Sequence, residues 1–242
     1  MKTTISILLF LTLTLSSQAT SKLLDIKTEK SVERFSKKIG EGETFSIRSL
    51  LTYPIVRSKD KKLAKNINNA ISPLIVHLDL KKALYDDLER TNGEYGGGDW
   101  ENSKLSVFTL MPTMFVLKFE RILEMSGGPT DSSSSFHIYD RKSGEKVNFD
   151  SLFIKNYKKK LRIIAKKIYT AKEPQPFDAP VDSKKDKFIL PKAMGINNKG
   201  LLLQYGYNEV DYLFMDTEHT IFIKYDLIKD LINPEGKLAY KL

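Results

Sequence analysis

Two pairs of acidic residues are the part of this sequence that could carry bond-breaking chemistry. Glu209 and Asp211 are two residues apart, as are Asp216 and Glu218. Alternate residues of a strand share a face, and two carboxylates at a suitable separation can hydrolyse a glycosidic bond. Acids close to a loop are more often simply solvated. We therefore predict no catalytic residue and keep a polysaccharide hydrolase with paired carboxylates as the alternative.

Other catalytic constellations find little support in the residue types. His77, His137 and His219 are far apart, and none has another histidine three or four residues away to make a metal-ligand pair on a helix. No Gly-x-Ser-x-Gly motif marks a nucleophilic serine. The chain contains no cysteine, which excludes disulfides and thiol chemistry. We predict neither a metal nor a cofactor.

The single tryptophan, Trp100, lies in a segment rich in glycine and acids, residues 91–103, which predicts a loop. An aromatic side chain on such a loop could contact a sugar or a basic protein. The alternative is that Trp100 folds back and fills the edge of the core, which is the commoner fate of a large aromatic residue.

The N-terminus has the pattern of a secretory signal peptide. Lys2 precedes a short apolar run, and Ser17 and Ala19 are the small residues that a signal peptidase requires. We predict that residues 1–19 are removed and that the protein is periplasmic or secreted. An uncleaved membrane anchor is the alternative, although the apolar run is short for a bilayer span.

The net charge of +9 predicts attraction to anionic surfaces. A basic amphipathic helix is predicted over residues 155–172, and Lys158, Lys159 and Lys166 on it could dock on such a surface. A solvated outer face on a helix that covers a sheet is the alternative. Export makes nucleic acid the less suitable partner, and we predict none.

Strand and helix patterns alternate along the chain in blocks. Helical spacing of apolar residues covers residues 60–90, with Pro73 as a kink or restart, and residues 155–172. Strand patterns include a hairpin over residues 105–109 and 114–123, and strands over residues 200–205 and 220–225, with a short helix at 226–233. The predicted fold is α+β, an antiparallel sheet with two main helices packed on it.

Three motifs in a fixed order are shared with a known family. The motifs are Ser126-Gly127-Gly128 after a strand, Tyr139 through Ser143-Gly144 to Asp150-Ser151-Leu152-Phe153, and Tyr207-Asn208-Glu209-Val210 between two C-terminal strands. Together they resemble the RsiV-like extracellular domain of lysozyme-sensing anti-sigma factors, which also accompanies some peptidoglycan deacetylases.

The resemblance implies a division of the chain and a function. Residues 20–103 would form an N-terminal α/β part with the long helix, and residues 104–242 an RsiV-like domain. The implied function is a non-catalytic binding module of the cell envelope, with peptidoglycan fragments or a lysozyme-like protein as its partner. The proposed ligand-binding residues are Trp100, Gly127, Gly128, Tyr207, Asn208 and Glu209.

Overall fold

The computed structural model describes seven ranges of the chain: residues 24–39, 43–75, 99–124, 131–172, 181–182, 187–206 and 219–242. The predicted signal peptide, residues 1–19, lies outside these ranges, so cleavage after Ala19 stays a prediction. Within the described ranges, no helix has the length and the apolar character that crossing a bilayer requires.

Five strands form the larger sheet, in the order β1-β2-β3-β4-β5. They are β1 (Asp25–Ile39), β2 (Glu43–Arg57), β3 (Asp99–Leu110), β4 (Met114–Glu124) and β5 (Asp131–Asp140). Neighbouring strands are antiparallel except for β2 and β3, which are parallel. The prediction of an antiparallel sheet is therefore wrong at this pair, because the long connection from β2 returns the chain to the end where β2 began.

A second sheet of three antiparallel strands follows in the C-terminal part, in the order β10-β9-β8. Its strands are β8 (Ala193–Ile196), β9 (Gly200–Tyr205) and β10 (His219–Lys224), and a short pair, β6 (Val181–Asp182) and β7 (Lys187–Phe188), precedes them. The predicted strands at 200–205 and 220–225 are confirmed, and so is the β3–β4 hairpin.

Two α-helices lie in the described ranges, α1 (Lys61–Ile71) and α2 (Tyr157–Lys172). The side chain of Asp60 caps α1 by accepting the Leu63 amide hydrogen at 2.9 Å. The helix predicted over 60–90 ends at Ile71, and a 3-10 turn, Ser72–Leu74, follows because Pro73 cannot donate a helical hydrogen bond. Residues 76–90 of that prediction lie outside the described ranges.

The other helical segments of the described residues are single 3-10 turns: Phe149–Leu152, Tyr225–Leu227, Lys229–Leu231 and Ala239–Lys241. The prediction of one short helix at 226–233 is therefore wrong. Each of the two 3-10 turns there closes on its own backbone hydrogen bond, and Ile228 between them, with φ −131° and ψ 18°, lies outside the helical region.

A side chain of α1 extends the hydrogen bonding of β2. Asn68 Nδ2 donates to the carbonyl oxygen of Val56 at 2.8 Å, and the Val56 amide donates to Asn68 Oδ1 at 2.9 Å. The paired residues of β2 and β3 end at Thr52 and Lys104. The side-chain amide of Asn68 therefore provides the hydrogen bonds to the backbone of Val56 beyond the point where the pairing with β3 ends.

Two hydrophobic clusters lie on opposite faces of the larger sheet, and β4 belongs to both. Phe115 and Leu117 face α1, while Met114 and Val116 face the C-terminal part. The first cluster also contains Leu63, Ile67, Ala70, Ile71 and Leu105, and the second contains Leu161, Ala165, Leu201, Leu203, Ile221 and Ile223.

The α+β class is confirmed, but sheets dominate the fold. The picture of two main helices on one sheet is wrong, because α1 packs against β2 of the larger sheet and α2 packs against β10 of the smaller one. The division at residue 103/104 stays a prediction.

Replacing Gly200 by alanine is expected to destabilise the fold by about 2 kcal/mol, because the added carbon overpacks a filled site. A Cβ at this position would lie 2.2 Å from the backbone oxygen of Ile223, which β10 holds in place. The midpoint of urea unfolding measures the effect. Lys199→Ala, at the exposed neighbouring residue, is the control, and equal midpoints for the two variants would contradict the close approach.

Candidate functional site

Three strands of the larger sheet begin or end side by side at one end, which we call the loop end. There β3 begins at Asp99, β4 ends at Glu124 and β5 begins at Asp131. Trp100 is opposite Glu124, and Leu123 is opposite Asp131. Adjacent strands are about 4.8 Å apart, so these strand ends lie within roughly 10 Å of one another.

The smaller sheet reaches the same end through a contact between side chains. Gln204 Nε2 donates to Ser134 Oγ at 3.0 Å. Ser134 is three residues into β5, about 10 Å from its first residue, and Gln204 is the penultimate residue of β9. His219, the first residue of β10, is paired with Tyr205, the last of β9. The strand ends that flank residues 207–218 therefore lie near the loop end.

The predicted binding residues are distributed over these segments. Gly127 and Gly128 fall between β4 and β5, and Tyr207, Asn208 and Glu209 fall between β9 and β10; all five lie outside the described residues. Trp100 is the second residue of β3, and its backbone lies between Arg48 of β2 and Glu124 of β4. Its side chain is outside the described part of the structure. The loop predicted over 91–103 is therefore wrong from Asp99 onwards.

An ion pair between a buried acid and a half-exposed arginine joins β3 to β4 one residue from Trp100. Glu101 is only 5% exposed, and the Arg121 guanidinium contacts its carboxylate through Nε and Nη2, both at 3.1 Å. Ser103 Oγ donates to Glu101 Oε1 at 2.8 Å. A charge-assisted hydrogen bond of this kind is stronger than a neutral one, and because it joins neighbouring strands it stiffens the base of the loop end. The sequence reading missed it; the only signal is the i, i+2 spacing of Glu101, Ser103 and Leu105.

Asp140, the last residue of β5, stabilises a turn at the end of the larger sheet that is opposite to the loop end. Burial would raise the pKa of Asp140, but hydrogen bonds from Lys237 Nζ and from the amides of Ser143 and Lys142 outweigh it and lower the pKa to about 2. The carboxylate is thus held charged by groups that belong to the fold.

Asp150 is engaged in a similar way beside α2. Tyr157 donates its hydroxyl hydrogen to Asp150 Oδ1 at 2.6 Å, and Lys158 Nζ lies 3.1 Å from Oδ2. The bond from Tyr157 lowers the pKa of Asp150 against the opposing effect of burial, with a further contribution from Lys158. Lys158, predicted to face an anionic surface, is therefore paired within the protein, although its side chain is 46% exposed. Lys159 and Lys166 are exposed as well.

Of the three histidines, the structure describes the side-chain surroundings of His137. His137 Nε2 lies 3.0 Å from Ser135 Oγ, and burial, together with the charge of Lys146, lowers its pKa. His77 and the side chain of His219 lie outside the described part of the structure. Across the described ranges, no group of three or more histidine, cysteine or acidic residues could hold a metal ion. Glu209, Asp211, Asp216 and Glu218 also fall outside these ranges.

A groove of about 360 Å³ runs along β5, beside the segment that follows its turn. Its walls are mostly apolar, with one charged group, and are formed by Phe136, Ile138, Lys146, Val147, Asn148 and Phe149. Hydrolysis of a glycoside needs two carboxyl groups, and this groove has none.

Comparison with solved structures finds the same fold elsewhere. A member of the DUF3298 family from Bacteroides fragilis superposes with a TM-score of 0.57 at 12% identity, over 86% of this chain and 94% of that one. A DUF3298 family protein from Pseudomonas aeruginosa gives a TM-score of 0.52 at 14% identity, over 87% of this chain and 95% of that one. No family model matches the sequence, and no curated protein matches it.

The class that these findings define is an α+β protein with the fold of DUF3298 family proteins. At 12% and 14% identity the likeness shows the fold alone. The resemblance to the RsiV-like domain stays a prediction, as do the roles of individual residues.

The Asp140→Asn variant is expected to lose about 2 kcal/mol of stability at neutral pH. The folded-state pKa, about 2, is below the ordinary value of 3.8, so the carboxylate's contribution is complete above that value and lost as the pH falls towards 2. Urea unfolding of wild type and variant should therefore converge between about pH 4 and pH 2.

Asp230→Asn is the matched control for this experiment. Asp230 also pairs with a lysine, Lys160 at 2.9 Å, but both side chains are 63% exposed. An exposed pair contributes little, so this variant should unfold like the wild type at every pH. An equal loss in both variants would contradict a specific role for Asp140.

Proposed function

We propose that the protein is an exported, non-catalytic binding module of the cell envelope that recognises peptidoglycan fragments or a lysozyme-like protein. The observation that supports it is the convergence of strand ends at the loop end. All three segments that carry the proposed contacts, at Trp100, at Gly127 and Gly128, and at residues 207–209, are flanked by strand ends that lie near one another.

The residue types at these positions suit recognition. Gly127 and Gly128 leave room for a partner to approach the backbone. Trp100 and Tyr207 offer aromatic area that can stack on a sugar ring or on a protein side chain, and such residues dominate binding energies. Asn208 can donate and accept hydrogen bonds, and Glu209 can pair with a cation.

The surroundings favour binding over bond-breaking. A binding surface needs a rigid base, and the pair of the buried Glu101 with Arg121 provides one beside Trp100. The two buried carboxylates of the described ranges, Glu101 and Asp140, each accept hydrogen bonds from within the fold. Those bonds occupy the carboxylate oxygens, which does not suit an acid that must exchange protons with a substrate.

Calorimetric titration of the exported chain with lysozyme, and separately with soluble peptidoglycan fragments, tests the proposal. We expect binding to one of the two, and a loss of at least about tenfold in affinity for Tyr207→Ala and for Trp100→Ala, as for aromatic hot spots. Glu209→Gln should weaken binding to a cationic partner most at low salt.

Tyr240→Ala is the control for loss of an aromatic side chain. Tyr240 belongs to the C-terminal segment. Three residues before it, the backbone carbonyl oxygen of Lys237 accepts a hydrogen bond from Thr113 Oγ1, in the turn at the opposite end of β3 and β4. Absence of heat with both ligands would overturn the proposal. Release of sugar fragments from purified wall, abolished by Glu209→Gln, would favour the hydrolase instead.

A further inference from the structure

The outward face of α2 carries an apolar side chain at its centre. Tyr157, Leu161, Ala165 and Tyr169 are buried against the core, so these residues define the inner face of the helix. Ile163 is two residues from Leu161, a rotation of about 200° around a helix. Its side chain is 66% exposed, a higher exposure than that of the other large apolar residues on the described surface.

Lysines surround Ile163 on the helix. The four residues one turn before and one turn after it, at positions i−4, i−3, i+3 and i+4, are its nearest neighbours on the helix surface. These residues are Lys159, Lys160, Lys166 and Lys167, and all four are exposed. Lys160 pairs with Asp230, while no acid of the described ranges pairs with the other three. The helix itself contains no acidic residue.

A bilayer surface satisfies both parts of this arrangement at once. Lysine ammonium groups reach anionic headgroups while their aliphatic stems lie along the apolar boundary, and an isoleucine between them enters that boundary. A soluble polyanion would satisfy the lysines but leave Ile163 in water. The exposed isoleucine therefore selects between two partners that charge alone cannot distinguish.

We propose that the outward face of α2 docks the protein on membranes that contain anionic phospholipids. The contacting residues are Lys159, Lys160, Ile163, Lys166 and Lys167. Lys158 is not among them, because it lies five residues from Ile163, about 140° around the helix, and pairs there with Asp150. This docking is independent of whatever binds at the loop end.

Co-sedimentation with vesicles tests the contribution of charge. The vesicles contain equal parts of phosphatidylcholine and phosphatidylglycerol, with pure phosphatidylcholine for comparison, and all variants share a chain that starts at Thr20 and keeps every described residue. The triple variant Lys159→Gln/Lys166→Gln/Lys167→Gln should bind anionic vesicles about a hundredfold more weakly at low salt, since each lysine near such a surface contributes about fivefold.

The matched control removes the same charge from the other helix. Lys61, Lys62 and Lys65 are exposed on α1, and the variant Lys61→Gln/Lys62→Gln/Lys65→Gln should retain most of the binding. Glutamine is a good helix former, so both triple variants are expected to fold, and circular dichroism checks it. Equal loss in the two triple variants, or no wild-type binding to anionic vesicles, overturns the proposal.

Ile163 variants separate a lipid surface from a soluble polyanion. Ile163→Gln should lose about tenfold in affinity for anionic vesicles, because burial of the apolar side chain is removed, and should bind heparin as the wild type does. Ile163→Leu should retain binding to the vesicles. If Ile163→Gln binds the vesicles as well as the wild type, the helix recognises charge alone and docking on a bilayer is overturned.

Discussion

Four consecutive residues of β4, Met114, Phe115, Val116 and Leu117, are completely buried. Because side chains alternate along a strand, two of them belong to the core beneath α1 and two to the core shared with the smaller sheet. Interiors packed at this density transmit changes of volume. This strand therefore couples the N-terminal and C-terminal parts of the described fold, whichever way the chain is divided into domains.

Charged groups join distant parts of this chain, which has no cysteine and therefore no disulfides. Lys237 and Asp140 are 97 residues apart in sequence and close the C-terminal segment onto the turn after β5. Glu101 and Arg121 join β3 and β4 close to the loop end. The most buried acids thus stabilise the fold. The ends of the strands remain as the candidate binding surface.

Much of the fold could be predicted from local pattern, because β9, the β3–β4 hairpin and α2 each carry their own periodicity. The parallel pairing of β2 with β3 could not, since nothing in either strand specifies a partner across so long a connection. The glycines and acids of residues 91–103 predict a loop, yet β3 begins at Asp99. Glu101 is buried there because Arg121, 20 residues away in sequence, and Ser103 both bond to its carboxylate.

The candidate site was predictable only as separate segments. Glycines and aromatic residues near strand ends can be recognised in the sequence, but their common location depends on strand register and on one bond between Gln204 and Ser134. Charge on α2 could be predicted too. The side-chain positions were required to show that Lys158 pairs with Asp150. They also show that Ile163 lies at the centre of the exposed face of α2.

The two hydrogen bonds between Asn68 and Val56 affect how the protein opens locally. Backbone groups at this point of β2 are protected by a side chain of α1 and not by β3. The Val56 amide should therefore exchange its hydrogen with solvent only when the helix lifts away. Between residues 47 and 52 every second amide points towards β3 instead of β1. These amides report on separation from β3, so exchange rates along this one strand would resolve two different openings of the molecule.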